Sequence, residues 1–354
     1  MVEKKPPNED PFEFNKNYTL TGRGLYYIIP PPPFVLNYPP EDTVISLDPL
    51  EPQSFSDFIG QPHAKEILRI IIEAANKERR FIPNTLLTGP YGHGKTTLAK
   101  LISKYNQKKF KVIDGVSVGV ELALDSDIIY IIDEAHNIPS QVTDSFNILI
   151  DSKKLNIVAC TTNPGALPAP FRSRFRTIYL ESYEEKDIYN ILMKASRRSH
   201  INITVPSAKV ISERSKLNPR VALSILEFVR EIEVATNKNP NKKINIKMAL
   251  MALEKLGVDS NGFNILDRKY LEILSDSYPV GMQYITSLLS IDSNTVQDEI
   301  EPYLLKRGVI QRTPKGRIRT KPIIEVVGGE DKTVTREQDF AQGLSQRLLS
   351  MLEM

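Results

Sequence analysis

The stretch LLTGPYGHGKTTLAKLI, residues 86–102, is an apolar run, a glycine-rich turn, Lys-Thr-Thr and a second apolar run. Its centre, Gly89–Thr96, has the spacing G-x-x-x-x-G-K-[ST]. The run before it has the length of a buried strand and the run after it has a helical period, which is the context the motif requires. The glycines Gly89, Gly92 and Gly94 let backbone N–H groups converge on phosphate oxygens at the positive end of a helix. Lys95 is placed to reach the β- and γ-phosphates, and Thr96 to hold Mg²⁺. Pro90, Tyr91, His93 and Thr97 complete the stretch expected to line the nucleotide. His93 falls at a variable position of the loop and is expected to be exposed and without chemistry.

A second motif gives the loop a reaction. IIYIIDEAH is an apolar strand that ends on Asp133 and Glu134. In a parallel sheet such an end lies at the carboxyl edge, beside the phosphate loop. Asp133 is expected in the Mg²⁺ shell, and Glu134 to orient and polarise the attacking water. Thr162 and Asn163 end the next strand, where a polar side chain meets the γ-phosphate or the water. Arg172, Arg174 and Arg176 follow as a cluster. They read either as surface charge or as a finger into a neighbouring subunit's site. Arg220, in LNPRVALSIL, opens a later helix and is placed to close over the nucleotide.

Around these motifs the chain alternates α and β. HAKEILRIIIEAANKE carries Ile67, Ile70, Ile71, Ala74 and Ala75 at helical spacing. NTLLTG, DIIYIID and KLNIVACTT read as buried strands, and KTTLAKLISKY as a helix. The class is therefore α/β, a parallel sheet with helices on both faces. After about Glu181 the strands stop and four helical stretches follow, a small helical domain. From Gly257 onward three short helices and a hairpin make a winged-helix pattern. The expected parts are a proline-rich extension 1–50, a nucleotide-binding domain 51–181, a helical lid 182–256, a winged helix 257–321 and an extension 322–354. In the last, Phe340, Leu344, Leu348 and Leu352 share one helical face, suited to folding back on its own domain or to a partner.

Composition is that of a globular protein, 41% hydrophobic and 25% charged, and the net charge of +3 leaves any nucleic-acid surface to be local. The single cysteine, Cys160, excludes a disulfide framework and a cysteine-built metal site. No apolar run has the length of a membrane span and no signal peptide is legible, so a cytoplasmic location is expected. The local basic surface is found at the end of the winged-helix pattern. Pro302–Ile324 has no acidic residue, and Arg312, Lys315, Arg317 and Arg319 lie on its hairpin, QRTPKGRIRT. Such a hairpin suits DNA backbone contacts without base reading.

Taken in order, these segments resemble the AAA+ ATPases and, within them, the RuvB family of Holliday-junction branch-migration motors. EPQSFSDFIGQ, the two nucleotide motifs, TTNPGALPAPFRSRF, LESYEEKDI, NPRVA, and the YPVGMQYIT and EPYLLKRGVIQRTPKGRIRT pair carry the likeness over roughly residues 51–320. The last pair is the most specific. The resemblance implies that Ile59, Gly60 and Tyr183 line the adenine and that Thr162 or Asn163 is the sensor 1 residue. It makes Arg174, with Arg172 as runner-up, the arginine finger, and the Pro219-Arg220 pair the sensor 2 position. It also implies ATP, Mg²⁺, DNA as partner and a homo-oligomeric ring, expected to be a hexamer. Three departures stand out. Glu51 and Asn163 occupy positions where the family has arginine. The interval between Glu134 and Thr161 is also too short for the family's RuvA-docking hairpin, so docking of a RuvA-type partner is not expected. An alternative within the same superfamily is a loader or switch that assembles on DNA without moving along it.

Overall fold

The computed structural model describes residues 48–118, 125–236 and 243–320. The expected N-terminal extension, apart from residues 48–50, and the expected C-terminal helix lie outside them. The first elements are α1 (Pro62–Lys77), β1 (Thr85–Thr88), α2 (Lys95–Tyr105), β2 (Lys109–Asp114), β3 (Ile128–Asp133) and α3 (Ser140–Asp151). Then come β4 (Asn156–Thr161), the short α4 (Ala169–Arg172) and β5 (Arg176–Tyr179). The five strands form one parallel sheet in the order β2-β3-β4-β1-β5.

The centre of this sheet follows from its residues. β1, β3 and β4 are near-continuous apolar runs, and their side chains are almost all buried, as strands covered on both faces must be. β2 and β5 lie at the edges and bury little besides Ile113 and Ile178. Beneath one face, Phe146, Phe171 and Phe175 join Tyr130, Ile132 and Ile157 in one core. In α1 the buried stripe is Ala64, Leu68, Ile71, Ile72 and Ala75. The expected face is rotated from this. Ile70 is 59% exposed, and only Ile71 and Ala75 are shared. Residues 152–155 alone connect α3 to β4, so the hairpin of the resembling family has no counterpart there.

Four helices follow: α5 (Glu185–Arg198), α6 (Val205–Arg214), α7 (Pro219–Thr236) and α8 (Ile246–Lys255). Their apolar faces close on a separate core that includes Ile188, Leu192, Ile211, Leu226 and Leu253, and Leu50 packs into it. Arg198 donates to the carbonyls of Pro49 and Leu50 and so pins the chain's entry to α5.

The last part comprises α9 (Ile265–Ile273), α10 (Met282–Leu289), α11 (Ser293–Thr295), a π turn over Val296–Ile300, α12 (Glu301–Lys306) and the antiparallel pair β6 (Ile310–Thr313) and β7 (Gly316–Arg319). Tyr270, Leu271, Ile285, Val296 and Leu304 form its core. This is a winged helix, and its hairpin is held from inside. Glu301 is fully buried and accepts from Tyr270 Oη (2.9 Å), Arg312 Nε (2.6 Å) and Arg317 Nε (2.8 Å). Arg319 Nη1 donates to the Leu271 carbonyl at 2.9 Å.

Removing Glu301 leaves two guanidinium groups and a hydroxyl without their carboxylate. Breaking one side of a buried ion pair costs about 3–5 kcal/mol, and the half-exposed Arg312 puts this case near the low end, about 3 kcal/mol. Glu301→Ala should therefore speed hydrogen exchange of the β6–β7 amides while the five-stranded sheet keeps its protection. Unchanged exchange over residues 310–319 would contradict the clamp.

Candidate functional site: a phosphate loop under a lid

Strand order decides where the site lies. β4 stands between β1 and β3, and all three run in one direction. The loop leaving β1 and the carboxylates ending β3 thus reach the same edge. The side chain of Thr96, the second residue of α2, spans the gap and donates to Asp133 Oδ2 at 2.7 Å. Lys95 is buried, and its Nζ donates to the carbonyls of Gly89 and Pro90, each at 3.1 Å. Burial pushes its ammonium below the ordinary lysine value, with Glu134 the largest opposing charge.

Glu134 has a left-handed backbone, φ 43°, which turns the chain sharply out of β3. Its Oε2 is buried without a hydrogen bond and lies 3.3 Å from His136 Nδ1. That ring nitrogen instead meets Thr161 Oγ1 at 3.0 Å, which also accepts from the Asn163 amide. Burial raises the Glu134 carboxyl above its ordinary value, against the attraction of Lys95. A buried acceptor without a hydrogen bond, beside a phosphate loop, fits a site built to receive a further donor. Thr162 is half-buried and Asn163 exposed just past β4.

The helical part covers the loop from above. Asn218, just before α7, donates from Nδ2 to the Tyr91 carbonyl at 3.1 Å. Arg220 Nη1 donates to Tyr91 Oη at 2.5 Å, and its guanidinium lies over the Tyr91 ring. Pro219 begins α7 and is buried. Gly92 has φ 73°, and a Cβ there would fall 2.3 Å from Asn218 Oδ1, so this contact requires glycine.

On the adenine side of the expected pocket, Ile59 is half-buried and Tyr183 buried. A Cβ at Gly60 would meet the Tyr183 ring at 2.7 Å. Gln61 locks this corner by donating to the Glu181 carbonyl and accepting from the Glu181 amide, both at 2.8 Å. The winged helix reaches the same corner, where Lys306 Nζ donates to the Tyr183 carbonyl at 3.1 Å.

Several expectations change here. His93 is 7% exposed rather than open to solvent, because its ring packs 5.3 Å from the Tyr183 ring and its Nδ1 lies 2.9 Å from the Tyr91 carbonyl. Arg317 and Arg319 do not project as free wing charges. Their side chains are 17% and 11% exposed, turned inward onto Glu301 and the Leu271 carbonyl. Arg312 is partly exposed but paired, and Lys315, in the turn between β6 and β7, is exposed. Arg172 Nη1 donates to the Pro164 carbonyl at 2.9 Å, while Arg174 pairs with Asp151 at the end of α3. Glu51 is matched by Lys100 of α2, 3.3 Å away. Sequence reasoning missed Gln61, His136, Asn218, Asp151, Glu301 and Lys306. Only the asparagine at a helix start and the glutamine after Gly60 gave any local signal.

Burial pushes His93 down to about pH 4, with the Tyr91 carbonyl opposing and Lys95 and Lys306 assisting. Its unfolded value is about 6.5, so the unfolded chain binds the proton first. Stability is full above pH ~6.5 and declines as pH falls towards 4. Between pH 6.5 and 5 the loss is roughly 2 kcal/mol. Urea unfolding of parent and His93→Gln at pH 7.5 and 5 should show the smaller acid loss in the variant. Parallel losses would contradict the buried neutral ring.

Comparison with known proteins agrees with this arrangement. Residues 50–150 match the Holliday junction DNA helicase RuvB P-loop domain, 183–259 the RuvB AAA lid domain and 260–328 the RuvB C-terminal winged helix domain. The Campylobacter lari Holliday junction branch migration complex subunit RuvB is 33% identical over 308 residues, 78% of this chain and 91% of that protein. The same subunit of Aliarcobacter butzleri is 32% identical over 325 residues, 83% and 93% of the two chains. Among solved structures, the Thermotoga maritima RuvB Holliday junction branch migration motor superposes with a TM-score of 0.73 at 30% identity, covering 80% of this chain and 99% of that one. These likenesses support the motor reading rather than the loader. With the P-loop, lid and winged-helix parts matched in order, and relatives at about a third identity matched over nine-tenths of their length, the chain belongs to the RuvB family of P-loop ATPases.

Proposed function

We propose that this chain is an ATP-driven motor that moves the branch point of four-way DNA junctions. The observation that carries the reading is the Thr96–Asp133 hydrogen bond beside the buried Oε2 of Glu134, which accepts no hydrogen bond. A phosphate-binding element and a carboxylate with a raised pKa meet there under a lid.

Thr96 and Asp133 are the residues to hold Mg²⁺, which when bound neutralises charge on the phosphate oxygens. Lys95 releases the Gly89 and Pro90 carbonyls and takes up phosphate oxygens instead. Glu134 accepts the proton of the attacking water, which its raised pKa suits. Thr162 or Asn163 contacts the water or the terminal phosphate. Arg220 and Tyr91 report the triphosphate to the lid, and Ile59, Gly60 and Tyr183 hold the adenine. Arg174 of one copy enters the site of the next, so the working form is a ring, a hexamer in our reading. The working boundaries are those expected: nucleotide domain 51–181, lid 182–256 and winged helix 257–321. The four-residue link from α3 to β4 supports a motor that does not take a RuvA-type partner through a hairpin. Among the described residues no helix is long and apolar enough to cross a membrane. A DNA substrate points to the cytoplasm.

The direct test is separation of a labelled four-way junction. Parent chain with ATP should convert it to duplex products, and Glu134→Gln should bind the junction without converting it. Conversion by Glu134→Gln at the parental rate would contradict the reading. Lys95→Ala should in turn abolish nucleotide binding, whereas Glu134→Gln should keep it and stop turnover, as read by fluorescent-nucleotide titration and phosphate release.

DNA binding is proposed through Lys315 and the exposed part of Arg312, with Arg317 and Arg319 serving to hold the hairpin. Removing one cation that neutralises a phosphate lowers the slope of log affinity against log salt by about 0.9 on duplex DNA. Lys315→Ala should flatten the slope by that amount without altering basal ATP turnover. An unchanged slope would remove the wing tip from the DNA interface.

A further inference from the structure

The short link that replaces the family hairpin brings the end of α3 against α4. Phe146 of α3 meets Phe171 of α4 at 6.3 Å, and Phe171, fully buried, meets Phe175 just past α4 at 4.8 Å edge-on. Asp151 is the last residue of α3, and Arg174 stands two residues past α4. Their side chains meet as a fork. Arg174 Nε donates to Asp151 Oδ1 at 2.9 Å and Nη2 to Oδ2 at 2.6 Å, while Nη1 donates to the Pro170 carbonyl at 2.6 Å.

A guanidinium has five N–H donors in a fixed plane. Among the described residues these three bonds leave one hydrogen on each Nη group, and the side chain is 27% exposed. One edge of the plane is therefore fixed to the protein and the remaining donors stay available to an outside acceptor. Asp151 is itself 57% exposed, so the pair lies at a surface where an incoming anion has access. One anchor is backbone, the Pro170 carbonyl within α4, and the other is a carboxylate carried on the last residue of α3. An arginine that must stabilise charge on another molecule acts best when its plane is set beforehand.

We propose that Asp151 is a positioning residue that fixes the plane of Arg174 and presents its two remaining N–H donors to the terminal phosphate of the nucleotide held by the neighbouring copy. This rests on the reading of Arg174 as a finger in a shared site. It assigns Asp151 a role in the neighbour's turnover, not in its own nucleotide binding.

The test is ATP turnover by full-length chains at saturating nucleotide, alone and mixed with excess Glu134→Gln chains. Those chains have no turnover of their own but carry an intact Asp151–Arg174 pair. Arg174→Ala alone should lose about 10³-fold and recover in the mixture, and this arm tests the shared site itself. Asp151→Asn should lose about tenfold in kcat, short of the ~10² that a 1 Å misplacement can cost, with KM for ATP unchanged. It should recover in the mixture as Arg174→Ala does, because its own phosphate loop is intact and only its finger is misaligned. Asp151→Glu should retain more activity than Asp151→Asn. If Arg174→Ala loses activity and recovers but Asp151→Asn turns over at the parental rate or faster, the positioning role is wrong and the shared site stands. If Asp151→Asn loses activity and does not recover with Glu134→Gln chains, the defect lies in its own fold or site and the inference also fails. If Arg174→Ala keeps its activity, the shared site falls, and the role of Asp151 with it.

Discussion

The position of β4 between β1 and β3 governs the rest of the structure. A parallel sheet delivers every strand's carboxyl end to one edge, and β4 sets the separation between the phosphate loop and the Asp133-Glu134 pair. The gap is such that one threonine side chain closes it, at 2.7 Å. This explains why the central strands are so apolar. The sheet must be rigid for a single hydrogen bond to span it, and burial on both faces supplies that rigidity.

Around this edge, separate parts of the chain converge on a few atoms. Asn218 and Arg220 bring the lid to Tyr91, and Lys306 brings the winged helix to the carbonyl of Tyr183. His93 of the loop lies against Tyr183, its ring tilted to that ring at 5.3 Å, and is held neutral by burial. A change at the phosphate loop therefore meets the lid directly at Tyr91 and reaches the winged helix through His93 and Tyr183. The wing, in turn, is stiffened by Glu301 rather than left as a loose basic arm. The sheet, the lid and the winged helix are joined by short polar contacts between well-packed cores, an arrangement that lets movement of one part be passed to another.

The features legible in the sequence were those with a periodic or spaced signal. The glycine-lysine-threonine spacing, the apolar strands and the four helices that follow the sheet fall in this group. Edge strands did not, because β2, KFKVID, buries only one of its side chains and reads as a polar segment. The face of α1 was misjudged by one position of rotation, since Ile70 is as apolar as Ile71 and only packing distinguishes them. Charge was the weakest guide. Arg317 and Arg319 look like DNA contacts in a run without acids, yet their partners, Glu301 and the Leu271 carbonyl, lie 16 and 48 residues away. Asp151 was invisible for the same reason, lying 23 residues from Arg174. Long-range pairing is a property of topology, which local composition does not carry.

In the proposed working form the site of each copy is completed by Arg174 of the next while the wing holds DNA. A structure of Glu134→Gln chains with ATP, Mg²⁺ and a four-way junction tests it most directly. A closed ring with triphosphate in the loop Gly89–Thr96 is expected. The neighbour's Arg174 should touch the terminal phosphate while it still pairs with Asp151, and the β6–β7 turn should lie against the DNA backbone. Single copies on the junction, with Arg174 facing no nucleotide, would contradict it.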